Sequence, residues 1–235
     1  MVVTQSGSRL GTKLRGKLAE AYSSRGYHKS SLWYVYSPRT DRDWILKGDL
    51  EWGHFLLAES DPNISLIDYV PPPEIIRVGD DEHATTLDAI VTFKNNIIEW
   101  REIKHADAIE KDIRAQHQWE AQFEAATQKG VRYARYTEKE IYACPQRIAN
   151  WARIVAWMTA VRGRSLYLER VAILALLDSR GSASIAEIQA LGTGAESACF
   201  VAAAFKGVQD GLFDCNLDDK PLSKNTTIRC IEGRT

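Results

Sequence analysis

The stretch IIEWREIKHAD, residues 97–107, sets a glutamate and a lysine two residues apart at the end of an otherwise apolar run. Side chains of a strand alternate between its faces, so residues i and i+2 share one. Glu102 and Lys104 therefore project together, with Arg101 and Ile103 on the opposite side. An anion and a cation side by side at the end of a buried-looking strand form an ion pair, or part of a catalytic centre that binds a metal. The residues around them bear on the choice.

TLDAIVTF (86–93) and IIEWREIK (97–104) read as two strands joined by Lys-Asn-Asn, a hairpin signal because asparagine tolerates positive φ. Asp88 lies on the first of these, fourteen residues before Glu102. Neighbouring hairpin strands bring such side chains within one coordination sphere. Two carboxylates and a backbone carbonyl, that of Ile103, make an all-oxygen site of the kind Mg²⁺ or Mn²⁺ prefers. Such an ion polarises a phosphodiester and lowers the pKa of a bound water. Lys104 adds a fixed cation for charge developing on phosphorus oxygens. Glu51, on an earlier helix, offers a third carboxylate. Read alone, Glu-x-Lys is a solvated or paired strand end, and Asp88 a turn or edge residue. His105 is a further candidate for catalysis or simply a polar strand end, and His54 reads as packing or surface.

Outward from this pair the elements follow from pattern. Leu10, Leu14 and Leu18 recur every fourth residue, predicting an amphipathic helix that ends near Gly26. SLWYVYS (31–37) alternates and predicts a strand. GDLEWGHFLLAESDP (48–62) predicts a helix stopped by Asp-Pro, since the residue before proline avoids the α region. ISLIDYV (64–70) and EIIRV (74–78) are strands on either side of PPPE, and GDDEHAT (79–85) reads as a polar loop. A helix over 108–129 ends at Gly130, VRYARYT (131–137) is a strand, and TEKEI opens another helix. This alternation predicts an α/β layered fold. Beyond about 145, helices over NWARIVAWMTAV, LYLERVAILALLDSRG, SIAEIQAL and ESACFVAAAFKGVQDGLF precede a hairpin of LFDCNL and TTIRCI, the layout of a winged helix. The expected division is therefore 1–145 and 146–235.

Bulk properties set limits. At 235 residues the chain can bury a core as one domain or two. The longest apolar run, VAILALL (171–177), is far too short to span a bilayer. The N-terminus lacks an apolar core of signal-peptide length. Cys144, Cys199, Cys215 and Cys230 are scattered without C-x-x-C spacing, which predicts reduced structural thiols in a cytoplasm rather than zinc ligands. The net charge is −1, but it is unevenly spread. Residues 1–50 carry nine Lys or Arg against four acids, and residues 51–110 carry four against thirteen. Arg9, Lys13, Arg15 and Lys17 in that basic arm are candidates for phosphate contact next to a carboxylate-rich site that needs cations.

With these residues in view, the D…E-x-K arrangement resembles the PD-(D/E)XK nuclease superfamily. More specifically, GDLEWGHFLLAESDPNISLIDYVPPPEI, LDAIV, WREIK and KGVRYARYTEKEI resemble the TnsA-type endonuclease subunit of heteromeric transposases, over about 35–145. The resemblance implies a restriction-endonuclease-like α/β/α core with a C-terminal winged-helix-like domain. It assigns Glu51, Asp88, Glu102 and Lys104 as catalytic, with Glu51, Asp88, Glu102 and the Ile103 carbonyl toward Mg²⁺ or Mn²⁺. Where the family has proline before the aspartate, this chain has Leu87, and Val70 replaces a frequent glutamine. The implied activity is cleavage of the non-transferred strands of double-stranded DNA at transposon ends, in a bacterial cytoplasm at the nucleoid. The implied partners are a TnsB-like DDE transposase and a TnsC-like AAA+ ATPase. The alternatives are a stand-alone PD-(D/E)XK nuclease of defence or repair, and a non-catalytic DNA-binding adaptor. Presence of all four site residues together counts against the adaptor.

Overall fold

The structure, a computed structural model, describes residues 31–78, 81–107 and 113–231. The chain runs β1 (Leu32–Ser37), β2 (Arg42–Lys47), α1 (Asp49–Ser60), β3 (Ile64–Asp68), β4 (Glu74–Val78), β5 (Asp81–Thr85), β6 (Ala89–Phe93) and β7 (Ile98–Ile103). It continues through α2 (Ile113–Gln128), β8 (Arg132–Tyr136), α3 (Glu138–Ile141), α4 (Pro145–Ala160) and α5 (Tyr167–Arg180). Last come β9 (Ser182–Ser184), α6 (Ile185–Gln189), α7 (Glu196–Gln209), β10 (Phe213–Cys215) and β11 (Thr227–Cys230). The fold is mixed α/β, as the alternation of patterns predicts. The helix expected to end near Gly26, the arm residues Arg9, Lys13, Arg15 and Lys17, and residues 108–112 lie outside the described residues.

A four-stranded sheet ordered β3-β6-β7-β8 carries the first half of the chain. β3, β6 and β7 are antiparallel neighbours, and β8 joins β7 in parallel after the α2 crossover. The expected β6–β7 hairpin forms, with Asn96 at φ 63 in the left-handed region that asparagine tolerates. β7 is buried on both faces. Trp100 packs with Ala121 and Ala125 of α2, whereas Ile103 packs with Leu50 of α1 and Ile141 of α3. Helix layers thus cover both sides of the sheet. α2 ends where Gly130 turns to φ 68, and Val131 N–H then closes onto Ala126 O at 2.9 Å. α3 begins at a capping box in which Thr137 and Glu140 satisfy each other's backbone N–H groups.

Three strands depart from the sequence reading. GDDEHAT is not a loop: Asp81–Thr85 forms β5, paired antiparallel with β4 in a two-stranded ribbon outside the main sheet. Glu82 and Ala84 are exposed and Thr85 is buried, but with alanine as its one apolar residue DEHAT shows no apolar alternation. RDWILK forms β2, a hairpin partner for β1 through a turn in which Asp41 has φ 52. Ser182–Ser184 adds β9 to the C-terminal hairpin, giving the order β10-β11-β9.

The largest apolar core crosses the expected boundary near 145. It joins Trp44, Phe55, Leu56 and Ile64 to Trp151, Ile154, Phe205 and Phe213. α4, whose first residue Pro145 suits the opening turn of a helix, brings Trp151 and Ile154 into that core. α7 is built largely from small residues, and Val201 through Phe205 are all buried. No helix of the described residues is long and apolar enough to cross a membrane.

Candidate functional site

Two side chains opposite each other define the site. The register pairing Ala89 with Arg101 brings Asp88, at the bend before β6, opposite Glu102. Antiparallel partners project on the same face and stand close together. Leu87, 1% exposed, sits in the apolar cluster with Trp100 and holds the bend down. Ile103 N–H then donates to Asp88 Oδ2 at 2.6 Å, which fixes the aspartate at the mouth of the β6–β7 pair.

Glu102 is buried, yet only one of its oxygens is engaged. Lys104 Nζ lies 2.6 Å from Oε1, while Oε2 has no hydrogen-bond partner. Lys104 itself is about a third exposed, with its ammonium 5.5 Å from the centre of the Trp119 ring. The ion pair exists, and it leaves a buried carboxylate oxygen facing no donor.

Electrostatics sharpen the point. Burial, then repulsion from Glu102 and a smaller one from Glu51, push the Asp88 carboxyl up to about 7. The Ile103 N–H and the Lys104 ammonium pull the other way. A site with two crowded carboxylates and one cation is short of positive charge. An all-oxygen set with an unpaired lone pair fits a hard divalent cation that keeps several of its waters.

Glu51 stands apart from this pair. It lies in the first turn of α1, where its Oε2 accepts from Lys47 N–H at 2.7 Å. Burial raises its carboxyl, and the Lys47 N–H and charge oppose that. Among the described residues, no three His, Cys, Asp or Glu side chains converge closely enough to hold an ion. The expected third carboxylate is thus within electrostatic reach of Asp88 but not gathered with it. His105 turns to α3, with Nδ1 3.5 Å from Glu138 Oε2, and is well exposed.

Sequence reasoning missed the opposite face. Arg101 is 3% exposed, donates from Nε to Glu99 Oε1 at 2.8 Å and lies 4.6 Å over the Tyr136 ring. Its Nη1 is 3.2 Å from Nε2 of fully buried His54. Burial and the Arg101 charge hold the imidazole pKa well below its usual range, so a neutral ring accepts this bond at Nε2. The period-two pattern places Arg101 on that face, but no residue in sequence announces His54 as its partner. Behind Glu102, a cleft of ≈ 560 Å³ is lined by Gln116, Trp119, Glu120, Phe123, Tyr133 and Arg135. Gln116, Trp119 and Glu120 follow the site on one helix and are legible in sequence as packing or supporting residues, but their meeting with Tyr133 and Arg135 of β8 is not.

Comparison with protein families and with characterised proteins found no match to this chain.

Proposed function

We propose that this chain is a metal-dependent DNA endonuclease of the PD-(D/E)XK type, acting as the TnsA-type subunit of a heteromeric transposase. One observation carries the reading: Asp88, at the bend that opens β6, stands opposite Glu102 of β7, and Lys104 lies beside a carboxylate that keeps one oxygen free. A structural ion pair would satisfy both oxygens of so deeply buried a carboxylate. A restriction-endonuclease-like core accounts for the mixed sheet with helices on both faces. A winged-helix-like region accounts for α5, β9, α6, α7, β10 and β11.

In this reading Asp88, Glu102 and the Ile103 carbonyl are the groups that would hold Mg²⁺ or Mn²⁺, with Glu51 nearby as an outer acidic group. The ion, when bound, supplies Lewis-acid polarisation of the phosphodiester and a more acidic water. Ile103 N–H orients Asp88, and Glu102 holds the Lys104 ammonium in a fixed position. Lys104 then meets the negative charge that grows on the phosphoryl oxygens during attack, without reorganisation at that moment.

Recognition of DNA ends falls elsewhere. Val201 through Phe205 of α7 are buried, so that helix serves packing rather than a DNA groove. The resemblance supplies the partners: a DDE transposase that brings the ends and an AAA+ ATPase. The test is strand cleavage by the purified full chain on transposon-end duplex in Mg²⁺ or Mn²⁺, with and without the transposase. Cleavage that needs the transposase and disappears in Glu102→Gln supports the reading. Partner-free cutting of any duplex would favour a stand-alone nuclease. No cutting in either arm would reject the enzyme.

A further inference from the structure

The cleft beside Glu102 has the makings of a second binding element. Trp119 forms its floor at 3% exposure, and its indole N–H is buried without an acceptor. Phe123 stands at the mouth, 56% exposed, with its ring edge-on to Tyr133 at 6.3 Å between centroids. Two cations flank the floor: the Lys104 ammonium 5.5 Å from the Trp119 ring centre and the Arg135 guanidinium 5.3 Å from it. Arg135 is exposed and forms no ion pair among the described residues, although exposed Glu120 also lines the cleft. β7 and β8 run in parallel with Glu102 opposite Arg135, so cleft and carboxylates share one end of the sheet. Burial first, and then the Glu102 and Asp88 charges, raise the Tyr133 hydroxyl pKa, which places Tyr133 within electrostatic reach of both carboxylates.

Aromatic faces flanked by cations form the combination that holds unpaired nucleic acid, stacking for the base and charge for the backbone. The volume falls within the range of small-molecule sites, about 300–1,000 Å³. A duplex base is stacked and paired, so only an extruded or single-stranded base reaches such a cleft. We propose that this cleft takes one unpaired nucleobase from the DNA strand whose phosphates lie at Glu102 and Lys104. The base stacks on Phe123 above Trp119, and Arg135 neutralises the neighbouring phosphate. The proposal rests on the endonuclease reading for its substrate.

The experiment uses the full chain and DNA carrying a fluorescent adenine analogue at one unpaired position, in Ca²⁺ so that binding is seen without cutting. The expected result is strong quenching on binding, because the analogue stacks. Phe123→Ala should lose the quenching and weaken binding of the unpaired strand about 5- to 160-fold, the range of one lost base stack. Phe123→Trp should restore both. Phe123→Leu keeps apolar volume but not stacking and should behave like the alanine variant. Circular dichroism melting shows that each variant is folded, as expected for a half-exposed side chain. Equal quenching by wild type and Phe123→Ala overturns the proposal, whether or not the protein cuts DNA. If quenching depends on Phe123 but no partner or metal elicits cleavage, the base cleft stands and the endonuclease reading falls.

Discussion

Gln209 Nε2, at the end of α7, lies 2.6 Å from Glu59 Oε2, near the end of α1, and both side chains are fully buried. Ser37 Oγ donates to the other carboxylate oxygen at 2.6 Å. Arg39 meanwhile donates to the backbone carbonyls of Ala58, Glu59 and Asp61. Residues 150 positions apart thus share one buried polar knot. Glu59→Ala leaves buried Ser37 Oγ without this acceptor and Gln209 Nε2 with only the residue-59 carbonyl, 3.2 Å away, and should cost ~2 kcal/mol or more. Glu59→Gln keeps an acceptor and should cost less. Chemical denaturation of the two variants checks the order.

A chain truncated after Pro145 should fail to fold stably. Trp44, Phe55, Leu56 and Ile64 pack in the same core as Trp151, Ile154, Phe205 and Phe213, so truncation exposes one half of a single apolar cluster. The measurement is loss of a cooperative thermal transition. A sharp transition like that of the full chain would show the core to be separable.

Close approach makes a third prediction. A Cβ on Gly53 would sit 2.6 Å from the Tyr142 hydroxyl oxygen and 2.8 Å from Ile141 Cγ2. Gly53→Ala should push α1 from α3 and destabilise by about 1–3 kcal/mol, the usual cost of overpacking. Helix propensity alone predicts a gain from the same change, so the sign of the shift in melting temperature decides between the two.

Much of this arrangement was legible in sequence where one physical rule acts alone. The period-two alternation of β7 placed Glu102 with Lys104 and Arg101 with Ile103, and Lys-Asn-Asn marked the hairpin. Rules failed where tertiary context supplied what composition lacked. β5 is polar apart from Ala84, so nothing in DEHAT competes with a loop reading until β4 offers its edge. The resemblance pairs Glu51 with the strand carboxylates, but sequence cannot show that Lys47 N–H holds its side chain at the start of α1, apart from Asp88 and Glu102. The boundary near 145 followed a change in pattern, which says nothing about whether two patterned segments share a core.

Lys104 and Asp88 are separable experimentally. Lys104→Ala should still bind divalent metal, since an ammonium is no ligand, and should lose strand cleavage by ~10²–10³-fold. Calorimetric titration with Mn²⁺ and a cleavage time course in the presence of the partner transposase measure the two effects. Cleavage at the wild-type rate would reduce Lys104 to the salt-bridge partner of Glu102.

Asp88 makes the pH prediction. Its carboxyl is raised to about 7 by burial and by Glu102, against an ordinary value of about 3.9 in the unfolded chain. Between these values the folded protein holds a proton that the unfolded chain releases, so this group's contribution to stability falls as pH rises. Without divalent ions, the melting temperature of wild type should fall relative to Asp88→Asn between pH 5 and about 7, and the difference should level off above. A cation competes with the same proton. Affinity for Mn²⁺ should rise about tenfold per pH unit up to about 7 and then flatten. Added Mn²⁺ should restore wild-type stability at pH 8 and leave Asp88→Asn nearly unchanged. Glu51 and Glu59 are also raised by burial, and they remain in both proteins, so the comparison isolates Asp88. Parallel melting curves for the two proteins across this range would show that Asp88 is not the strained carboxylate, and the metal reading would lose its electrostatic basis.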